Sequence, residues 1–144
     1  METLSYDELN DKEKELIDAA EQAIDLAYNP YNSNSVFGAA VRTLSDKIVV
    51  GGNFGNDSGI SNICAERSVI LTANNQGNRD IKEIAIIGRS NKNMEEPVTP
   101  CGICRQVLLE ITKITKEDLI ILCSNADKSK ILKKSIHELL PYPY

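Results

Sequence analysis

A single histidine, His137, serves all 144 residues. That scarcity removes most support from mechanisms built on a His-based triad or on several histidine metal ligands. His137 itself stands beside Glu138 near the end of the chain and reads as a surface or structural residue. Long apolar runs are missing too: no stretch reaches the roughly 18 residues that a membrane-spanning helix requires. The first residues, METLSYDELNDKEKE, lack the basic and apolar regions of a secretory signal, so a cytoplasmic location is expected. Excess positive charge is also absent. The net charge is -5, with nine acids against two bases in residues 1–25 and a balance of +2 over the rest. The acidic start reads as the solvated face of a helix. The near-neutral remainder offers no footprint for a nucleic acid, which leaves a small-molecule substrate as the expected partner. Cysteine is sparse, at Cys64, Cys101, Cys104 and Cys123. In a reducing compartment such residues are expected to be metal ligands, catalytic groups or core rather than disulfides.

What is present is an ordinary globular composition with no repeat, no low-complexity tract and no linker, so one domain over residues 1–144 is expected. SYDE, residues 5–8, matches a capping box with Ser5 as cap, and the apolar positions Leu16, Ile17, Ala20, Ile24 and Ala27 recur at helical spacing. The spacing predicts a first helix to about Tyr28, ended by the polar loop NPYNSNS. VFGAAVRTL and KIVVGGNF flank SDK and predict a hairpin, in which Gly38, Ala39 and Ala40 imply a closely packed neighbour. CAERSVILTANN predicts a second helix closed by Gly77, and IKEIAIIG a strand buried on both faces. A polar loop over residues 89–100 leads to a third helix at CGICRQVLLEI. DLIILCS reads as another buried strand, SKILKK as an edge strand and SIHELL as a short last helix. The order predicts an α/β fold: a mixed five-stranded sheet with helices on both faces, in three α/β/α layers.

Two of these helix starts carry cysteine where Ser, Thr, Asp or Asn would ordinarily stand. If they meet over one edge of the sheet, Cys64, Cys101 and Cys104 supply three thiolates. Zinc takes sulfur ligands tetrahedrally, and three protein ligands leave one position for water, as in a catalytic site. Helix N-termini offset the charge of the sulfurs, and Arg67 and Arg105 each follow a ligand closely enough to hydrogen-bond one. Glu66, near the first turn, would take a proton from the attacking water and pass it on. Cys123 offers a rival arrangement, in which four cysteines hold a purely structural zinc, although its place inside LIILCS also suits a small core residue.

The pair CAE and PCGIC, residues 64–66 and 100–104, resembles the zinc deaminase signature. From FGAAV through GGNFGN, NICAERSVI and PCGICRQVL to ELLP, the chain resembles the cytidine deaminase family. The resemblance implies the cytidine-deaminase-like form of the α/β/α fold and one Zn²⁺ per subunit on Cys64, Cys101 and Cys104. It further implies Glu66 as the proton shuttle, Asn53, Phe54 and Ala65 as substrate contacts, and a homotetramer working in pyrimidine salvage. Two positions depart from the family pattern. Gly55 stands where a carboxylate is usual two residues after Asn53, and Ser35 where a phenylalanine usually meets the pyrimidine, with Phe37 or Phe54 as candidate replacements. These departures keep a second substrate class in view: a free base, a modified nucleoside or a blasticidin-type antibiotic. Tyr144 falls where the family commonly has an aromatic residue.

Overall fold

The computed structural model describes residues 2–89 and 95–144. The first strong helix signal is placed later than SYDE suggests. Ser5 and Glu8 do pair, with the Ser5 N–H donating to Glu8 Oε2 at 2.7 Å, but they enclose only a 3₁₀ turn at Tyr6–Glu8. The box that starts helix α1 (Asp11–Gln22) is Asn10 with Glu13, each side chain accepting from the other's backbone N–H. Two boxes lie in tandem, and the amphipathic face decides between them: Leu16, Ile17 and Ala20 are fully buried. The helix also ends sooner than its apolar spacing predicts, tightening into a 3₁₀ turn at Ala23–Leu26.

Strands β1 (Val36–Thr43) and β2 (Ile48–Gly52) form the expected hairpin. Helix α2 (Ala65–Asn75), strand β3 (Ile81–Arg89), helix α3 (Gly102–Thr115), strands β4 (Ile120–Ser124) and β5 (Ile131–Ser135) and helix α4 (Ile136–Leu139) follow. Of the polar loop expected over residues 89–100, residues 90–94 lie outside the described residues. The sheet order is β2-β1-β3-β4-β5, with β3 and β4 parallel and the other neighbours antiparallel.

Alternation along the central strands sorts the core into two layers. Ala40, Ala85, Ile87 and Leu122 face α1, whereas Ala39, Val41, Ile84, Ile86, Ile121 and Cys123 face α2 and α3. Each fully buried leucine or isoleucine contributes about 1.5–3 kcal/mol. Gly38 shows why small residues open β1: a Cβ there would run into the Ala20 carbonyl oxygen, so α1 approaches that strand only over a glycine. At the far edge Leu4 and Ile131 exchange backbone hydrogen bonds of 2.8 and 2.7 Å, which covers β5. Among the described residues no helix is long and apolar enough to cross a membrane.

The topology decides where the cysteines go. β2 and β3 are both antiparallel to β1 and therefore run the same way. α2 leaves the C-terminal end of β2, and α3 follows the C-terminal end of β3, so both helices begin at one end of the sheet, where α/β folds usually bind ligands.

Candidate metal centre and catalytic pocket

Cys64 is the cap residue of α2 and Cys101 that of α3, both with extended backbone, and neither side chain bonds a helix N–H. The cap-to-third-residue spacing of a capping box is put to a different use here. On α3 it sets Cys104 beside Cys101, and on α2 it lets Arg67 reach back, its Nη2 donating to Cys64 Sγ at 3.8 Å and to the Asn62 carbonyl at 2.9 Å. The sulfurs of Cys64, Cys101 and Cys104 all lie within 4.8 Å of one another, and the Cys64–Cys101 separation is 3.8 Å. Zinc–sulfur bonds of about 2.3 Å at tetrahedral angles require sulfurs about 3.8 Å apart. The donor set therefore fits zinc in both chemistry and span.

Protons are shared unequally in the cluster. The Cys64 thiol is drawn down to about 5, first by the hydrogen bond from Cys104 and then, against burial, by Arg67. Cys104, the donor in that pair, is pushed up. Glu66, in the first turn of α2, is 5% exposed and lines the same cavity. Burial, reinforced by the charge at Cys64, pushes its carboxyl up to about 7. A carboxyl poised near neutrality both accepts and returns a proton readily.

The cavity measures about 200 Å³. Its lining combines Cys64, Ala65 and Glu66 from the start of α2 and Cys101 from the start of α3 with Asn29, Ser35, Phe37 and Asn53. Two larger cavities, of about 370 and 410 Å³, lie along β5 and beside the β4–β5 turn, away from the sulfurs.

Several residues singled out from sequence sit elsewhere. Phe54 does not line the cavity. Its backbone bonds both ways with Ile63, Asn53 turns inward, and the Phe54 ring is left half-exposed, stacked on Tyr28 at 5.0 Å. Phe37 is the aromatic side chain in the wall. Arg105 donates to the Pro100 carbonyl and the Leu139 carbonyl, each at 2.8 Å, rather than to sulfur; it braces the approach to Cys101. Cys123 is fully buried in the core beneath α2 and α3, outside the sulfur cluster, where burial pushes its thiol up to about 12. His137 pairs with Asp118 at 2.9 Å on the surface, and Tyr144 is exposed. Sequence reasoning missed Asn29, Val98 and Thr99 in the cavity wall. Asn29 read only as a helix stop, and no spacing marks the other two.

Residues 10–119 match the family described as the cytidine and deoxycytidylate deaminase zinc-binding region. The chain belongs to this deaminase family. As such it is a zinc-dependent enzyme. The deaminase is 36% identical, over 88% of its own length and 89% of the relative's, to the cytidine deaminase of Halalkalibacterium halodurans. It is 26% identical, over 94% of each chain, to the blasticidin-S deaminase of Bacillus cereus. The crystal structure of cytidine deaminase from Burkholderia pseudomallei superposes with a TM-score of 0.79 at 35% identity, over 90% of the deaminase and 97% of that chain.

Proposed function

We propose that the deaminase hydrolyses cytidine or deoxycytidine to uridine or deoxyuridine and ammonia. One observation carries the reading: three sulfurs with the span of a zinc site, two of them from residues lining the cavity, stand with a buried carboxyl in that lining raised to about 7. Cys64, Cys101 and Cys104 would hold the metal, which when bound supplies Lewis-acid activation of a water molecule for attack on the amine-bearing carbon. Glu66 takes the water's proton and delivers it to the neighbouring ring nitrogen. It then carries the water's second proton to the amine, which leaves as ammonia while the carbon–oxygen double bond forms. Arg67 steadies Cys64 as charge shifts in the cluster, and Arg105 keeps the loop before Cys101 in place. Phe37 and Ala65 offer apolar surface to a pyrimidine ring.

The test is ammonia release from cytidine, deoxycytidine, cytosine and blasticidin S, with Glu66→Gln as the blank. Release from the two nucleosides by the wild type, reduced by orders of magnitude in the variant with zinc retained, is the expected result. Full activity in Glu66→Gln overturns the mechanism. A second reading, another aminopyrimidine of the blasticidin type, is favoured by the missing carboxylate at Gly55 and by the Bacillus cereus relative. Turnover of blasticidin S without turnover of cytidine selects it.

The same reading takes residues 1–144 as one catalytic domain, cytoplasmic and working in pyrimidine salvage, and assembled as a homotetramer. Assembly is supported by an apolar groove between α2 and α3, where Leu71 and Ile114 are exposed beside Ile70 and Ile111. Light scattering on the eluting protein measures the assembly directly.

A further inference from the structure

Two amides meet at one backbone carbonyl in the cavity lining. Asn53 Nδ2 donates to the Ser35 carbonyl at 3.3 Å, and its Oδ1 accepts from the Phe37 N–H at 2.9 Å. Both ends of that side chain are engaged by the chain itself. Asn29 Nδ2 donates to the same Ser35 carbonyl at 2.9 Å. A backbone carbonyl only accepts, so this bond settles which end of the Asn29 amide faces it, and the oxygen must look the other way. It looks toward Gly55, where a Cβ would lie 2.5 Å from Asn29 Oδ1. The Gly55 N–H donates to the Tyr28 carbonyl, which pins that backbone beside Asn29. No protein donor bonds Asn29 Oδ1 among the described residues, and the half-buried side chain lines the cavity.

Resting on the nucleoside reading above, we infer that Asn29 is a specificity residue whose Oδ1 accepts a hydrogen bond from a sugar hydroxyl of the substrate, and that position 55 is glycine because the Asn29 amide fills that space. The amine to be hydrolysed must face Cys64, Cys101 and Glu66. On a pyrimidine the sugar-bearing nitrogen stands across the ring from the amine-bearing carbon, so a ring seated beside Phe37 and Ala65 turns its sugar toward Asn29 and Asn53. A sugar hydroxyl can donate, and of these two amide oxygens that of Asn53 already accepts from Phe37, while that of Asn29 has no protein donor among the described residues. Gly55 thus selects for the amide without touching the substrate.

The experiment compares kcat and KM for cytidine and 2′,3′-dideoxycytidine on the zinc-loaded wild type, Asn29→Ala and Gly55→Ala. Loss of one neutral hydrogen bond lowers kcat/KM for cytidine about tenfold. The loss falls on KM, with kcat held within about twofold and the dideoxy compound unaffected. Gly55→Ala, whose new methyl displaces the amide, gives the same selective loss and serves as the test if Asn29→Ala fails to fold. An equal loss on both substrates, or none on either, overturns the assignment while leaving cytidine deamination standing. A wild type that turns over neither nucleoside overturns the nucleoside reading, and the assignment falls with it.

Discussion

Glu13 and Glu66 each stand in the first turn of a helix, and each is 5% exposed. Their company differs. Glu13 closes a capping box with Asn10 and forms an ion pair with Lys133, reaching from α1 to the outer strand β5. Glu66 makes no ion pair among the described residues; it faces a cavity and a cluster of sulfurs. Burial alone therefore does not identify a chemical residue. A buried carboxylate paired with a cation holds two elements together, whereas one with no ion-pair partner, facing a cavity, has its ionisation displaced by burial and can move a proton.

The sharpest way to break this comparison is Glu66→Gln. Removing the proposed proton carrier should lower kcat by about 10²–10⁴-fold while zinc content, measured by metal analysis, stays at the wild-type level. A loss of zinc in that variant would make Glu66 a ligand or scaffold instead. Glu13→Gln should do the reverse, leaving kcat unchanged and lowering the unfolding free energy by about 1–2 kcal/mol in urea titrations. The range is kept low because Lys133 is 43% exposed and solvent already screens it. Asn10→Ala removes the other half of that box and costs about 1 kcal/mol by the same measurement, again with activity intact.

Glu138 gives the smallest effect and fixes the sign for an exposed box. The Ser135 N–H donates to its carboxylate at 2.8 Å, and this bond chiefly holds the acid below its usual range. A depressed carboxylate adds stability that is complete above its ordinary value of 4.5 and disappears as the pH falls through the lowered one. Glu138→Gln should therefore lower the neutral plateau of a stability–pH profile slightly, flatten its acid limb below pH 4.5 and meet the wild type at the lowest pH.

Much of the fold was legible because two-fold alternation and helical spacing are local properties: the five strands and the helices starting at Cys64 and Cys101 could be read directly. The first helix was misread for an equally local reason. SYDE and NDKE both satisfy the box spacing, and only packing of Leu16 and Ile17 against the sheet selects the second. Phe54 was placed in the site because it adjoins Asn53, but neighbours in an extended segment point to opposite sides. Asn29 carried no signal beyond a helix stop, since its proposed role depends on Gly55 and Ser35, which come near it only after folding.

Residue types and short-range spacing thus determined the chemistry available: sulfurs at two helix starts, a carboxyl two residues from one of them, and a single imidazole, at His137. The tertiary structure decided their use. Two strands running the same way bring helix starts thirty-seven residues apart to a 3.8 Å sulfur contact. The same packing gives Glu13 an ion-pair partner and leaves Glu66 without one among the described residues. Ligand span, desolvation and hydrogen-bond partnership are distances between residues remote in sequence, so they come into being only when the chain closes on itself.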